Sequence, residues 1–208
     1  MPNKKAFLLL NGNVPNELPS FHSYDLIVAV DGAFQTAVNK KIPINLITGD
    51  FDSIQELKNT STFIERIHTP DQNFTDFHKC LKELVKKGVK TVDVYGANGL
   101  EQDHYLGNLS TAYQWSNELN LVFHDDYGVS FFLEKDNQYK FNDCLNKTIS
   151  LVPFLDAGGI TTKGLKYPLK QESLNFFKRI GTRNVATSEE IQIHYTQGIL
   201  FLFIQNKT

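Results

Sequence analysis

Apolar residues fall in short closed runs along the first part of the chain and in β-branched and aromatic runs along the second. Ala6–Leu10 and Leu26–Val30 are continuous apolar stretches of strand length, the pattern of strands buried on both faces in a parallel sheet. Ile44–Ile47 and Val92–Tyr95 are weaker strands of the same kind, and Leu121–Phe123 closes the series. Between them the period changes. Phe77, Cys80, Leu81, Leu84 and Val85 recur at helical spacing, and Gly88 follows where a helix C-terminal glycine belongs. A second helix is predicted from His104 to Leu119, with Leu106, Leu109 and Tyr113 on one side. Strand–helix alternation of this kind predicts an α/β layer around a mostly parallel sheet.

After Asp125 the helical period disappears. Val129–Leu133, Thr148–Val152, Ile191–Tyr195 and Ile199–Ile204 are separated by polar or glycine-bearing segments, and Thr196-Gln197-Gly198 reads as a hairpin connection between the last two. The chain therefore divides into an α/β domain, residues 1–125, and an all-β domain, residues 126–208. The second is small for independent stability and is expected to pack on the first or on another subunit.

Composition narrows the function classes. The 208 residues carry 21 Lys and Arg against 23 Asp and Glu, a formal charge of −2. That balance supplies no field for a nucleic-acid backbone, so no nucleic-acid partner is expected. The 16 Phe and 8 Tyr provide core material and argue against disorder. No apolar run approaches the roughly 20 residues of a membrane helix, so no membrane partner is expected. The basic start Met1–Lys5 is followed by too short an apolar run for a secretory signal, and Cys80 and Cys144 form neither a metal pair nor a redox motif. The expected compartment is the cytoplasm. A glycine-rich phosphate loop, a dinucleotide fingerprint and a serine nucleophile elbow are all absent. A nucleotide would have to be held by metal and dispersed polar groups.

The candidate chemistry is carried by acids at strand ends. Asp31-Gly32-Ala33 follows Leu26–Val30, Gly49-Asp50-Phe51-Asp52-Ser53 follows Ile44–Ile47, and Gly96-Ala97-Asn98-Gly99 follows Val92–Tyr95 with Asp103 just beyond. In a doubly wound sheet these are the carboxyl ends, outside which ligands bind. Asp76 joins them from the first turn of the Phe77–Val85 helix. The spacing of Asp50 and Asp52 lets both aim at one point. Two carboxylates about 4 Å apart repel by about 4 kcal/mol at an effective dielectric of about 20. Asp76 adds to that repulsion, so a proton or a cation must compensate. Oxygen donors without cysteine suit Mg2+, which keeps waters and bridges substrate phosphates.

Each residue also has a plainer reading. Asp31-Gly32 makes an ordinary turn. Asn73 can cap the helix while Asp76 complements its dipole. Asp103 can cap the helix from His104, Lys79 can pair with Asp76 on the surface, and His104 can serve as a structural hydrogen-bonding residue. What favours a site is convergence: four separate segments bring acids to one edge of one sheet.

These residues resemble the thiamine pyrophosphokinase family. The resemblance rests on Asp31-Gly32-Ala33, on Gly49–Ser53, on Thr69-Pro70-Asp71-Gln72-Asn73-Phe74-Thr75-Asp76-Phe77-His78-Lys79-Cys80-Leu81, and on Gly96–Asn108. Weaker blocks, Gly159–Leu169 and Gly181–Asn184, extend it over most of the chain. It implies an N-terminal α/β domain, a C-terminal β-sandwich and a homodimer. The implied reaction transfers a diphosphate from ATP, the co-substrate, to the hydroxyl of thiamine, with AMP leaving. By position, Asp50, Asp52 and Asp76 match the acids that hold Mg2+. Asp31, Gln72, Lys79 and Asp103 match polar positions around the nucleotide and its phosphates. Thr161, Thr162, Lys163, Tyr167 and Asn184 match the region that receives thiamine, with the cleft completed across the dimer. Asp52 and Asp76 are thereby catalytic candidates through the metal, and Asp103 through acceptance of the hydroxyl proton.

The chain departs from the family at two points. Glu101 stands where the pattern Gly-Gly-Arg-x-Asp-His has arginine, and Arg183 stands where serine usually precedes the asparagine. A glutamate would repel a phosphate there unless it faces away or Lys79 or Arg183 compensates. The acid cluster by itself also suits a Mg2+-dependent phosphohydrolase or nucleotidyltransferase on another substrate. Glu101 keeps open a thiamine- or nucleotide-binding protein without catalysis.

Overall fold

A computed structural model describes residues 3–50 and 64–206. The chain forms two compact units, residues 1–126 and 127–208.

The first unit is a mixed α/β layer. Its elements in order are β1 (Lys4–Leu9), β2 (Leu26–Val30), α1 (Ala33–Asn39), β3 (Leu46–Gly49), β4 (Glu65–His68), α2 (Asp76–Lys86), β5 (Val89–Tyr95), α3 (Gln102–Gln114) and β6 (Asn120–His124). Every strand pairing is parallel, in the order β4-β3-β2-β1-β5-β6. The chain winds outward from β1 to β4 and then returns to the other edge of β1, so the winding direction reverses between β1 and β5. Both faces of the sheet are covered, which is why its inner strands read as unbroken apolar runs. Phe7, Leu9, Ile27, Ala29 and Ile47 form one core with Phe34 and Ala37 of α1. Strand alternation turns Leu8, Val28, Leu46 and Thr48 to the opposite face, and α2 packs against β2, β3 and β5.

The helices correct several expectations. The α2 stripe of Phe77, Cys80, Leu81 and Leu84 is buried. Its N-cap is Thr75, not Asn73: the Thr75 hydroxyl accepts from the His78 N–H at 3.2 Å. Asn73 is instead taken up by Asp71, whose Oδ1 accepts from its backbone and side-chain nitrogens at 2.9 and 2.8 Å. Helix α3 begins before His104 and ends at Gln114, with Asp103 inside its first turn rather than at its cap. Of the stripe expected on α3, Leu109 is buried, but Leu106 and Tyr113 are exposed. The buried face runs instead through Thr111 and Ala112, whose small side chains give a weak apolar signal.

The second unit is all β: β7 (Gly128–Leu133), β8 (Gln138–Phe141), β9 (Thr148–Lys163), β10 (Glu172–Asn175), β11 (Gly181–Val185), β12 (Ile191–His194) and β13 (Gln197–Gln205). Two antiparallel sheets share β9. Its first part pairs with β13, which also pairs with β7. Its last residues, Thr161–Lys163, pair with β12, whose other edge takes β8. Ile149, Leu151, Ile160, Ile191, Ile193, Leu200 and Leu202 belong to the core of this unit. The segment Thr196–Gly198 is therefore not a hairpin. Strands β12 and β13 pair with different stretches of β9, and the segment hands the chain from one sheet to the other. Glycine is needed at 198 because a Cβ there would lie 2.0 Å from the Asp156 carbonyl oxygen, not because a two-strand turn demands it.

Candidate active site

The carboxyl ends of β1, β2 and β5 and the first turns of α2 and α3 enclose a cleft of about 450 Å³. It lies at the reversal of winding, where an open parallel sheet parts its loops to either side. The floor is backbone. The β1–β5 ladder continues past both strands through Leu10 N–H to Tyr95 O at 2.8 Å, Gly12 N–H to Gly96 O at 2.7 Å and Asn13 N–H to Asn98 O at 2.7 Å. The approach is too close for side chains. A Cβ on Gly12 would sit 2.4 Å from the Gly96 and Asn98 oxygens, and one on Gly96, at φ 69°, would sit 2.3 Å from Leu10 O.

Acids line the walls. Asp31, Asp76, Glu101 and Asp103 all border the cleft, with His104 the one basic side chain among the described lining residues. Asp31 is held in the left-handed region at φ 43°, its N–H bonded to Thr48 O at 2.8 Å and its carbonyl accepting from Phe34 at the start of α1. A non-glycine residue in that region costs about 1 kcal/mol or more, and here it aims the turn after β2 at the cleft. Asp31-Gly32 is thus both a turn and part of the wall. Glu101 does not turn away: it lines the cleft, its carboxylate 3.6 Å from His104 Nε2, with both side chains open to solvent. Lys79 is not among the lining residues: its side chain is buried, and its ammonium meets Asp76 rather than Glu101.

Three asparagines also line the cleft: Asn11, Asn98 and Asn108. Asn108 Nδ2 donates to Ala97 O at 2.9 Å and Asn98 Nδ2 to Asp125 Oδ2 at 3.1 Å. Those partners accept only, so each amide is oriented with its nitrogen toward the protein and one of its two N–H bonds used there. None of the three was singled out from sequence. Asn11-Gly12 carries the same signal as Asp31-Gly32, a turn dipeptide directly after an apolar run, and the same rule would have found it.

The other sequence candidates lie around this cleft or away from it. Asp50 follows β3 at the same sheet edge, half-buried. Gln72 is exposed in the turn before α2. Asp52 lies outside the described residues. In the second unit, Thr161, Thr162 and Lys163 close β9. The Thr162 hydroxyl accepts from Leu169 N–H at 2.9 Å, and the Thr161 hydroxyl accepts from Gln171 Nε2 at 3.1 Å. Asn184 brackets Tyr167, accepting from its N–H at 3.1 Å and donating to its carbonyl at 2.8 Å. The Tyr167 ring itself is exposed.

Among the described residues no three His, Cys, Asp or Glu side chains gather closely enough to enclose a metal ion. The donor set still fits one kind of cation. Its acids are all oxygen donors, and the buried Asp76 Oδ1 already has the Lys79 ammonium 2.7 Å away, which leaves its other oxygen for a cation. Such a set suits a hard ion shared with substrate phosphates rather than a protein cage. It also sets the electrostatic demand: among the described residues the lining holds four carboxylates and no lysine or arginine, and only Asp76 has a lysine, Lys79, against it, so an entering polyphosphate is favoured by an accompanying cation.

The comparisons with known proteins agree with this layout. The family profile "Thiamin pyrophosphokinase, catalytic domain" matches residues 19–123, and "Thiamin pyrophosphokinase, vitamin B1 binding domain" matches residues 133–200. Thiamine pyrophosphokinase 1 of Oryza sativa subsp. japonica is 28% identical over 167 residues, 72% of this chain and 61% of the rice protein. Thiamin pyrophosphokinase 1 of Caenorhabditis elegans is 26% identical over 187 residues, 84% of this chain and 76% of that protein. A crystal structure of thiamine pyrophosphokinase from Bacillus subtilis superposes with a TM-score of 0.85 at 21% identity, covering 99% of this chain and 100% of that one. That last similarity is one of fold.

Proposed function

The chain belongs to the thiamin pyrophosphokinase family, and we propose that it transfers the terminal diphosphate of ATP to the hydroxyl of thiamine, giving thiamine diphosphate and AMP. The observation that carries this reading is the cleft at the sheet's winding reversal, walled by Asp31, Asp76, Glu101 and Asp103 and empty of lysine and arginine among its lining residues. Such a cleft suits a nucleotide that arrives with its cation.

In the reaction, the thiamine hydroxyl oxygen bonds to the β-phosphorus, the bond from that phosphorus to the α–β bridging oxygen breaks, and AMP departs with the electron pair. No covalent enzyme intermediate is needed, so the protein's work is alignment and charge placement. Asp50, Asp52 and Asp76 would hold Mg2+, which supplies neutralisation of phosphate oxygens when bound. Asp31, Gln72 and Asp103 surround the nucleotide, and Asp103, exposed in the first turn of α3, accepts the hydroxyl proton. The residues proposed for thiamine lie in the second unit. Thr161, Thr162 and Asn184 brace the segment that carries Tyr167, Lys163 stands beside them, and the exposed Tyr167 ring, which already has the Lys166 ammonium 5.6 Å from its centroid, suits a cation such as the thiazolium. On the same reading the two sheets of this unit form a β-sandwich, and two chains pair as a homodimer.

The test is product analysis by mass with ATP, Mg2+ and thiamine. AMP and thiamine diphosphate in equal amounts are expected. ADP as product would indicate an ordinary kinase, and phosphate release without thiamine a hydrolase; either result would overturn the reading.

A further inference from the structure

Lys79 was expected beside the phosphates, but its surroundings point elsewhere. Its side chain is 9% exposed. Nζ donates to Thr69 O at 2.7 Å and to Asp71 O at 3.0 Å, and lies 2.7 Å from Asp76 Oδ1. An ammonium has three N–H bonds. Two are spent on carbonyls, and its charge is matched by a carboxylate in contact, so little is left for a phosphate. The groups it gathers are informative. Thr69 N–H donates to Gly49 O at 2.9 Å, which ties the segment after β4 to the end of β3, one residue before Asp50. Asp71 folds that segment into a tight turn by accepting from Asn73. Asp76 opens α2 behind its Thr75 cap. One buried cation therefore joins the end of β3, the Thr69–Asp71 turn and the first turn of α2.

We infer that Lys79 is a positioning residue for the metal-binding acids: its ammonium fixes Asp76 Oδ1 inward and holds Asp76 and Asp50 in register, and it does not contact the nucleotide. The inference rests on the proposed reaction, in which those two acids serve the metal. A buried lysine in this arrangement acts as the outer partner of a ligating carboxylate. Loss of such partners typically costs about 10- to 100-fold in metal affinity.

A double-mutant cycle on metal binding tests it without turnover. Mn2+ dissociation constants would be measured by electron paramagnetic resonance on the full-length protein. The nucleotide would be an ATP analogue with a methylene between the α and β phosphorus atoms. Lys79→Met and Asp76→Asn should each weaken Mn2+ binding about 10-fold or more, and the double variant should be no weaker than Asp76→Asn alone. Binding of the analogue without metal should change less than about twofold in Lys79→Met. Lys79→Arg, which keeps charge and donors, should recover part of the Mn2+ affinity and stands in if the methionine variant does not fold. Additive losses, or a metal-free analogue affinity that falls with Lys79, would overturn the inference in favour of a phosphate contact. Unchanged Mn2+ binding in Lys79→Met would overturn it as well. Failure of the reaction proposal is read separately, from the products formed by the unaltered protein.

Discussion

The sheet of the first unit treats buried and cleft carboxylates in opposite ways. Asp93, in the middle of β5, is almost fully buried and fully answered by the protein. Lys5 Nζ and the Tyr24 hydroxyl each lie 2.6 Å from its Oδ2, and His124 Nε2 lies 3.2 Å from Oδ1. Burial alone would raise its pKa, but the contacts from His124, Lys5 and Tyr24 outweigh it and hold the carboxyl down at about 2. At the carboxyl edge of the same sheet, Asp31, Asp76, Glu101 and Asp103 share one cleft in which, among the described residues, no lysine or arginine lines the wall, and only Asp76 is met by a lysine, Lys79, from behind. A carboxylate compensated inside the fold contributes to stability. Carboxylates that border an open cleft remain within reach of a ligand and its cation, and so contribute to binding. The two regions should therefore separate under mutation.

The largest effect is expected at the cleft. Asp76→Asn should lower AMP formation about 1000-fold, roughly 4 kcal/mol of barrier, while moving the unfolding midpoint less than the Asp93 change does. Asp93→Asn should do the reverse, costing about 3 kcal/mol in urea unfolding through the unmatched Lys5 and Tyr24, with turnover per folded molecule unchanged. If Asp93→Asn abolished turnover and left the midpoint in place, the comparison would fail. The pH dependence sharpens it. The folded value of Asp93 lies below the ordinary 3.8, so protons favour the unfolded chain. Its stabilisation of about 2 kcal/mol is present above about pH 4 and lost as the pH falls toward 2. Acid unfolding curves of the protein and of Asp93→Asn should converge over that range; parallel curves would show that Asp93 is not the group responsible. The smallest effect is expected in the second unit. Tyr167→Ala should raise the KM for thiamine about tenfold, in line with loss of a cation–π contact, with kcat nearly unchanged. An unaltered KM would remove the ring from the thiamine site.

Much of this arrangement is legible in the sequence because parallel strands buried on both faces leave unbroken apolar runs, and the residue after each run lies at a known edge. Leu26–Val30 followed by Asp31, and Val92–Tyr95 followed by Gly96, place the cleft before any coordinates are known. What escaped was signalled by something other than hydrophobicity. Strand β4 reads Glu-Arg-Ile-His and sits at the edge of its sheet, so no apolar run marks it. Helix α1 has seven residues, too few for a clear period. The apolar run marks β9 only from Thr148 to Val152, whereas the strand continues through Pro153, Gly158 and Gly159 as it leaves one sheet for another. At the site, residue types gave the acids but not their partners. Lys79 looks like a surface lysine one turn from Asp76, and only the fold of the Thr69–Asp71 segment over it makes it a buried clamp.

The central claim is that the cleft's negative charge is compensated by a divalent ion brought with the nucleotide. Calorimetric titration with the same ATP analogue, in the presence of Mg2+ and in the presence of a chelator, tests it most directly. Binding should weaken at least about 100-fold without the metal, a difference of roughly 2.7 kcal/mol. Equal affinity in both titrations would mean that the protein itself neutralises the phosphates, which would contradict this account.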